Sequence, residues 1–279
     1  MGVREGRVVA RHLCLLGTIF FACWTAACAS HRPTLPSGLG APFPNFRETF
    51  TEVMARRCSV RTLVAELRLS GRVGSSRLRG RVLVGLAEPG AGRFEGLAPF
   101  GPPAFILVTQ PGNAVLLLPR ESRALVGRSA VEIIHALVGI ALTPDELRHV
   151  LSGCVPATVQ PRAGRSYGSD WWTIETSDGG LVYLRRVGGS PRVVAVRRAG
   201  WLGEYGDLSG RVPARVRLTS LTPTADAVDV TMLLSQVRVN TTLDASAFAL
   251  NIPPDAVPMT LEELRARGPL WVSAAVSGG

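Results

Sequence analysis

The sequence predicts an α+β fold, an incomplete and strongly curved antiparallel β-barrel of about 8–11 strands with helices covering its concave face. Three observations point there. Segments in which apolar and polar residues alternate recur from Leu63 to Leu234, each with one inward face. Two capping boxes, Ser129-Ala130-Val131-Glu132 and Thr143-Pro144-Asp145-Glu146, start helices in the middle of that series. Ala104–Val108 and Ala114–Leu118 are apolar on both faces, and such strands need cover on each side, helix on one and a core or lined cavity on the other.

Ahead of the fold, residues 1–27 read as a targeting segment. Arg4, Arg7 and Arg11 precede an apolar run from Leu13 to Trp24 that is short for a membrane span, and Thr25-Ala26-Ala27 places small residues before Cys28. This resembles a bacterial lipoprotein signal with its lipobox, although Thr25 stands where Leu is usual. An ordinary cleaved signal and an uncleaved anchor are the alternatives. The resemblance implies acylation at Cys28, and more than one chain, at about 0.8 kcal/mol per buried methylene, anchors a protein firmly. Ala29, rather than Asp, follows Cys28, which in the sorting scheme for such lipoproteins implies the outer membrane. Residues 28–45 carry Pro33, Pro36, Pro42 and Pro44 with Gly38 and Gly40, the composition of a flexible tether.

Phe46, Phe50, Val53 and Met54 fall at helical spacing and open a domain expected over 46–254. Strands follow at Leu63–Gly71 and Ser76–Ala87; in the second, Arg77, Arg79 and Arg81 share the polar face, a solvated face before it is a phosphate or headgroup site. Gly92–Phe105 reads as two strands joined by a stiff loop with Phe100 between Pro99 and Gly101. Exposing such a ring is unfavourable by roughly 25 cal/mol per Å², so it either folds under its loop or meets something apolar. A short strand, Ser122–Val126, completes the first half.

The two mid-chain helices carry stripes of Val131, Ile134 and Val138 and of Leu147, Val150 and Leu151, ending at Gly139 and Gly153. His135 borders the first stripe and reads as a packing residue. Strands then return at Trp171–Thr176, Leu181–Arg186, Arg192–Arg198, Ala214–Thr219 and Val228–Leu234. A third capping box, Thr260-Leu261-Glu262-Glu263, begins a short helix in the tail, 255–279.

The chain has 279 residues, 46% hydrophobic and 19% charged, a globular composition. Its net charge of +10 comes from Arg alone, since Lys is absent, which points to coding bias more than to phosphate contacts. Without residues 1–27 the charge is still +8. No helix-turn-helix, zinc-finger spacing or aromatic RNA-binding signature accompanies it, so nucleic acid is not an expected partner. Once Cys14 and Cys23 leave with the signal and Cys28 is acylated, Cys58 and Cys154 remain, expected to form a disulfide, with two buried thiols the alternative. No metal or other cofactor is expected. Gly-x-Ser-x-Gly, His-Glu-x-x-His and phosphate-loop motifs are absent, so no catalytic residue is assigned.

The order of elements, with Arg93-Phe94-Glu95-Gly96-Leu97, Pro99-Phe100-Gly101, Leu137-Val138-Gly139-Ile140 and Leu151-Ser152-Gly153, resembles the LolB family of outer-membrane lipoproteins and its relative LolA, over roughly Leu63–Cys154. Beyond that only the strand pattern and Asn240–Pro254 are similar. The resemblance implies a monomer whose apolar interior accepts lipoprotein acyl chains such as palmitate from a periplasmic LolA-like carrier. The residues expected to line it are Leu67, Leu69, Val82, Val84, Phe94, Phe105, Leu107, Leu116, Ile134 and Val138. It also implies that the Pro99-Phe100-Gly101 loop enters the membrane. A lipid or lipoprotein sensor or assembly factor on the same fold, moving nothing, is the alternative.

Overall fold

The computed structural model of the chain describes residues 34–223 and 226–267. From Gly38 on, the described residues form one compact unit. The expected signal, the acylated Cys28 and the end of the tail lie outside the described residues.

Among the described residues this unit is built on one open sheet of 15 strands. The first half holds β1 (Ala41–Pro42), helix α1 (Phe46–Arg57), β2 (Thr62–Val73), β3 (Ser76–Ala87), β4 (Ala91–Leu97), β5 (Phe105–Gln110), β6 (Asn113–Leu118) and β7 (Arg123–Val126). Helices α2 (Ala130–Val138) and α3 (Pro144–Ser152) follow. The second half holds β8 (Pro161–Tyr167), β9 (Trp171–Thr176), β10 (Leu181–Val187), β11 (Ser190–Arg198), β12 (Trp201–Gly206), β13 (Arg215–Ser220) and β14 (Val228–Val239). A 3-10 turn at Ala245–Phe248, β15 (Val257–Pro258) and α4 (Leu261–Ala266) end the described chain.

The strands run β1-β8-β9-β10-β11-β12-β13-β14-β2-β3-β4-β5-β6-β7-β15, so β14 closes onto β2 and joins the halves side by side. That ladder extends from Val228 opposite Val73 to Val239 opposite Leu63. The pairs are antiparallel except for the last, β15 with β7, which is parallel and corrects the all-antiparallel expectation. The strand count also exceeds the expectation. β8, with Pro161, Gly164 and polar neighbours, shows no alternation, and in β12 Gly203 and Gly206 interrupt it. Both are strands because β9 and β13 complete their ladders, a tertiary cause that composition hides.

The core is continuous. Alternation in β2 buries Leu63, Ala65, Leu67 and Leu69, and in β3 Leu78, Val82, Val84 and Leu86. α1 buries Phe50, Val53 and Met54, each stabilising by about 1.5–3 kcal/mol relative to exposure. The helix stripes are shifted from those expected. α2 buries Ile133, Ile134, Ala136 and Leu137 and leaves Val131 and Val138 half-buried, while α3 buries Arg148 along with Leu147 and Leu151.

The domain limits widen at both ends. Ala41 and Pro42 pair with Ser166 and Arg165, the Phe43 amide donates to the Gly164 carbonyl at 3.1 Å, and the Phe43 ring lies 6.0 Å from that of Trp172. So 38–45 is docked on β8 and β9 rather than a free tether. Leu261 and Leu264 of α4 are buried, so 255–267 also packs on the fold. Among the described residues no helix is long and apolar enough to cross a membrane.

Candidate functional site

Between α2, α3 and the inner face of β2–β5 lies a hollow lined only by apolar side chains. Leu67 and Leu69 come from β2, Val82 and Val84 from β3, Phe94 from β4, Phe105 and Leu107 from β5, and Met232 from β14. Ile134, Leu137 and Val138 of α2, Ile140 and Leu142 of the connection, and Leu147 of α3 line the other side. The strand residues meet because the registers place Leu67 opposite Val82, Val84 opposite Phe94, and Phe94 opposite Leu107. Leu116, expected in the lining, is fully buried opposite Leu107 but is not among the lining residues.

The helices are held in place by their ends. Ser129 and Thr143 each accept a bond from the backbone N–H three residues on, and Glu132 and Glu146 accept from the cap N–H, completing both capping boxes. α2 ends at Gly139, which has φ 73° and lies so close to Val73 that an added Cβ would stand 2.3 Å from its Cγ1. Only glycine meets both demands. A disulfide joins Cys58, at the end of α1, to Cys154, just past α3, with the Cα atoms 4.9 Å apart.

The volume of the hollow is about 60 Å³. A water in the liquid occupies about 30 Å³, and a dry cavity of about 150 Å³ is the size that takes up benzene. The space therefore holds no acyl chain with the helices where they are. It offers a water no polar partner, so it is an apolar seam in the packing.

The loop from β4 to β5 stands apart from this core. Phe100 is 87% exposed. Gly101 takes φ 73°, a left-handed turn that glycine adopts freely, and Pro99, Pro102 and Pro103 restrict the remaining backbone. The Arg120 guanidinium, from the turn after β6, donates to the Phe100 carbonyl and to the Pro102 carbonyl at 3.1 Å. The ring is thus presented on a loop fixed from behind. No pattern in the sequence marks Arg120, a lone cation in a turn; the lining role of Ile140 and Leu142 was legible only as an apolar run between two helices.

Behind the disulfide, a second small space is lined by Leu142, His149, Val150, Cys154, Trp201 and Tyr205, with Glu146 and Arg198 at its polar side. Burial, and then the Arg148 charge, hold the His149 imidazole below its ordinary value, and burial pushes the Tyr205 phenol up. Arg148, 2% exposed, pairs with Glu88 at 2.6 Å and Asp145 at 3.4 Å and donates to the Val60 carbonyl at 2.5 Å. These contacts fasten α3 to the end of β3. His135 is exposed on α2. Among the described residues no group of three His, Cys, Asp or Glu side chains stands where it could hold a metal ion.

No family model and no curated protein matches the sequence. Among solved structures the chain is similar to a DUF1329 family protein from Desulfovibrio piger, at TM-score 0.47 and 10% identity, over 75% of this chain and 98% of that one. It is similar to a LolA superfamily protein from Nitrosomonas europaea at TM-score 0.46 and 9% identity, over 72% of this chain and 98% of that one. A putative outer membrane lipoprotein-sorting protein domain from Vibrio parahaemolyticus follows at TM-score 0.46 and 12% identity, over 72% of this chain and 94% of that one. At TM-scores below 0.5 these likenesses establish no function, which must rest on the hollow and the loop.

Proposed function

We propose that the protein is a lipid-anchored envelope protein that binds lipoprotein acyl chains in the hollow and helps insert them into the outer membrane. One observation carries this reading: a seam lined entirely by apolar side chains separates two short helices from the sheet they cover. Burying a polar group there would cost several kcal/mol, whereas a hydrocarbon chain leaves no group unpaired. The chain would enter as α2 and α3 lift from β2–β5. Phe100, on its fixed loop, would enter the interfacial region of the bilayer, and Cys28 would hold the protein there. The protein would act without covalent chemistry, as a monomer, receiving cargo from a soluble carrier.

The test uses the full chain in vesicles with a photoreactive sixteen-carbon acyl probe. Labelling mapped to the peptides bearing Leu107 and Ile134–Leu147 is expected; labelling spread evenly over the surface would reject the reading. The small volume of the hollow, about 60 Å³, favours a second reading in which the fold senses or scaffolds lipid and transports nothing. The two separate in a transfer assay from a carrier-bound lipoprotein to vesicles: a transporter delivers cargo and loses delivery on Phe100→Glu, whereas a sensor delivers none.

A further inference from the structure

Three neighbouring connections emerge at one end of the sheet. β4 pairs Leu97 with Arg81 of β3, so the Phe100 loop lies toward the end at which the β2–β3 hairpin turns at Gly74 and Ser75. Val228 of β14 pairs with Val73, and Thr219 of β13 with Asp229, so Leu221, which follows β13, lies at that end too. Leu221 is 44% exposed and Phe100 87%. Two unburied apolar side chains therefore flank the hairpin tip.

The hairpin between them is cationic. Arg68, Arg72, Arg77, Arg79 and Arg81 are all exposed, on the face opposite Leu67, Leu69, Leu78 and Val82. The register sets Arg68 directly opposite Arg81 and Arg72 directly opposite Arg77. Like charges facing each other across a ladder destabilise it, and an anion between them relieves the repulsion. The carboxylates nearby are few: Glu66 pairs with Arg81 at 3.5 Å, Asp229 stands opposite Arg72 across the β14–β2 ladder and is bound by Arg217, and Asp226 is exposed at the same end. Arg77 lies four residues beyond the last β3–β4 pair, about 13 Å further out at roughly 3.3 Å per residue, so the charges reach past β4 to the level of the loop.

We infer that this end of the sheet is a docking surface for an anionic phospholipid bilayer, with Phe100 and Leu221 entering the acyl boundary and Arg72, Arg77 and Arg79 contacting phosphates. A lipid surface fits better than a protein because the apolar groups are isolated at two tips with charge between them, a pattern matching headgroups over hydrocarbon. The inference deepens the membrane-contact half of the proposed function and does not require the hollow to hold an acyl chain. It orients the sheet with its strand ends toward the bilayer.

The experiment is hydrogen–deuterium exchange of the full chain in nanodiscs of phosphatidylcholine, with and without one-third phosphatidylglycerol. Slower exchange at Gly74, Ser75, Phe100, Gly101 and Leu221 is expected only with the anionic lipid, and 0.5 M salt should abolish it. At about a tenfold change per 1.4 kcal/mol and about 1 kcal/mol per arginine near the surface, the triple variant R72Q/R77Q/R79Q should lower the docked-to-undocked ratio roughly a hundredfold. Leu221→Ser should weaken docking on its own, with unchanged exchange in β5 and β6 certifying the fold. Equal exchange in both discs, or an unaffected triple variant, would overturn the inference. The acyl probe added to the same discs keeps the two readings apart: labelled hollow without protected tips removes only the docking surface, and protected tips without labelling remove only acyl binding.

Discussion

Replacing Cys58 and Cys154 together by alanine removes a cross-link that spans 96 residues of chain. In the chain-entropy account, closing a loop of that length lowers the entropy of the unfolded state enough to stabilise the fold by about 4.7 kcal/mol at 25 °C, and native disulfides of small domains contribute about 2–5 kcal/mol. For a domain of this size each kcal/mol moves the melting temperature by about 2–4 °C, so the double variant should melt roughly 10–19 °C lower. Equilibrium urea unfolding at fixed ionic strength measures the loss, with the slope fitted for each form because the uncrosslinked unfolded chain exposes more surface. Wild-type protein in dithiothreitol should match the variant. The tie also bears on the hollow, since it fixes the end of α3, whose Leu147 is part of the lining. Acyl-probe labelling should therefore rise as the tie is removed. A stability change below about 1 kcal/mol, with labelling unchanged, would refute the view that this bond holds the helix over the seam.

Leu107→Ala should cost about 2–5 kcal/mol in urea unfolding, because Leu107 is buried at the floor of the hollow, while the enlarged space should take up more acyl probe. Phe100→Ser should leave unfolding stability within about 0.5 kcal/mol of wild type, as the ring packs on little, but should reduce membrane protection of its own loop in hydrogen exchange. His149 is held below its ordinary value of 6.5, by burial first and Arg148 second, with Arg198 adding to the effect and Asp145 and Glu88 opposing it. Since the folded chain binds that proton less well than the unfolded one, stability should be complete at neutral pH and fall as pH drops through 6.5 toward the lowered value. His149→Gln should flatten that part of a melting-temperature profile, read between pH 7.5 and 5.

Local signals carried much of the fold. Alternation in β2, β3 and β14 works because each has one buried face and one wet one, and the three capping boxes form because their bonds close within four residues. Nine of the expected lining residues meet in the hollow for a similar reason: strand periodicity assigns a face to seven of them, and the helical stripe places Ile134 and Val138 against that face. What escaped was non-local. β8 and β12 exist through their partners, β15 pairs in parallel across a long connection, and Arg148 is buried because Glu88, 60 positions away in the chain, meets it. Arg120 gave no local sign of holding the Phe100 loop. The size of the hollow was illegible for a different reason, since volume depends on how far two helices settle onto the sheet and not on which faces are apolar.

The ends of the sheet have a consequence for life in a crowded compartment. β1 and β15, the outermost strands, are two residues long and each contains a proline, Pro42 and Pro258. The Val257 and Met259 amides already occupy the Ser122 and Ala124 carbonyls, and Phe43 occupies that of Gly164. Proline supplies no N–H, so a stranger's backbone arriving at either border finds few groups to pair with. A sheet of this many strands otherwise offers two long templates for edge-to-edge pairing, and these short, proline-bearing selvedges blunt both.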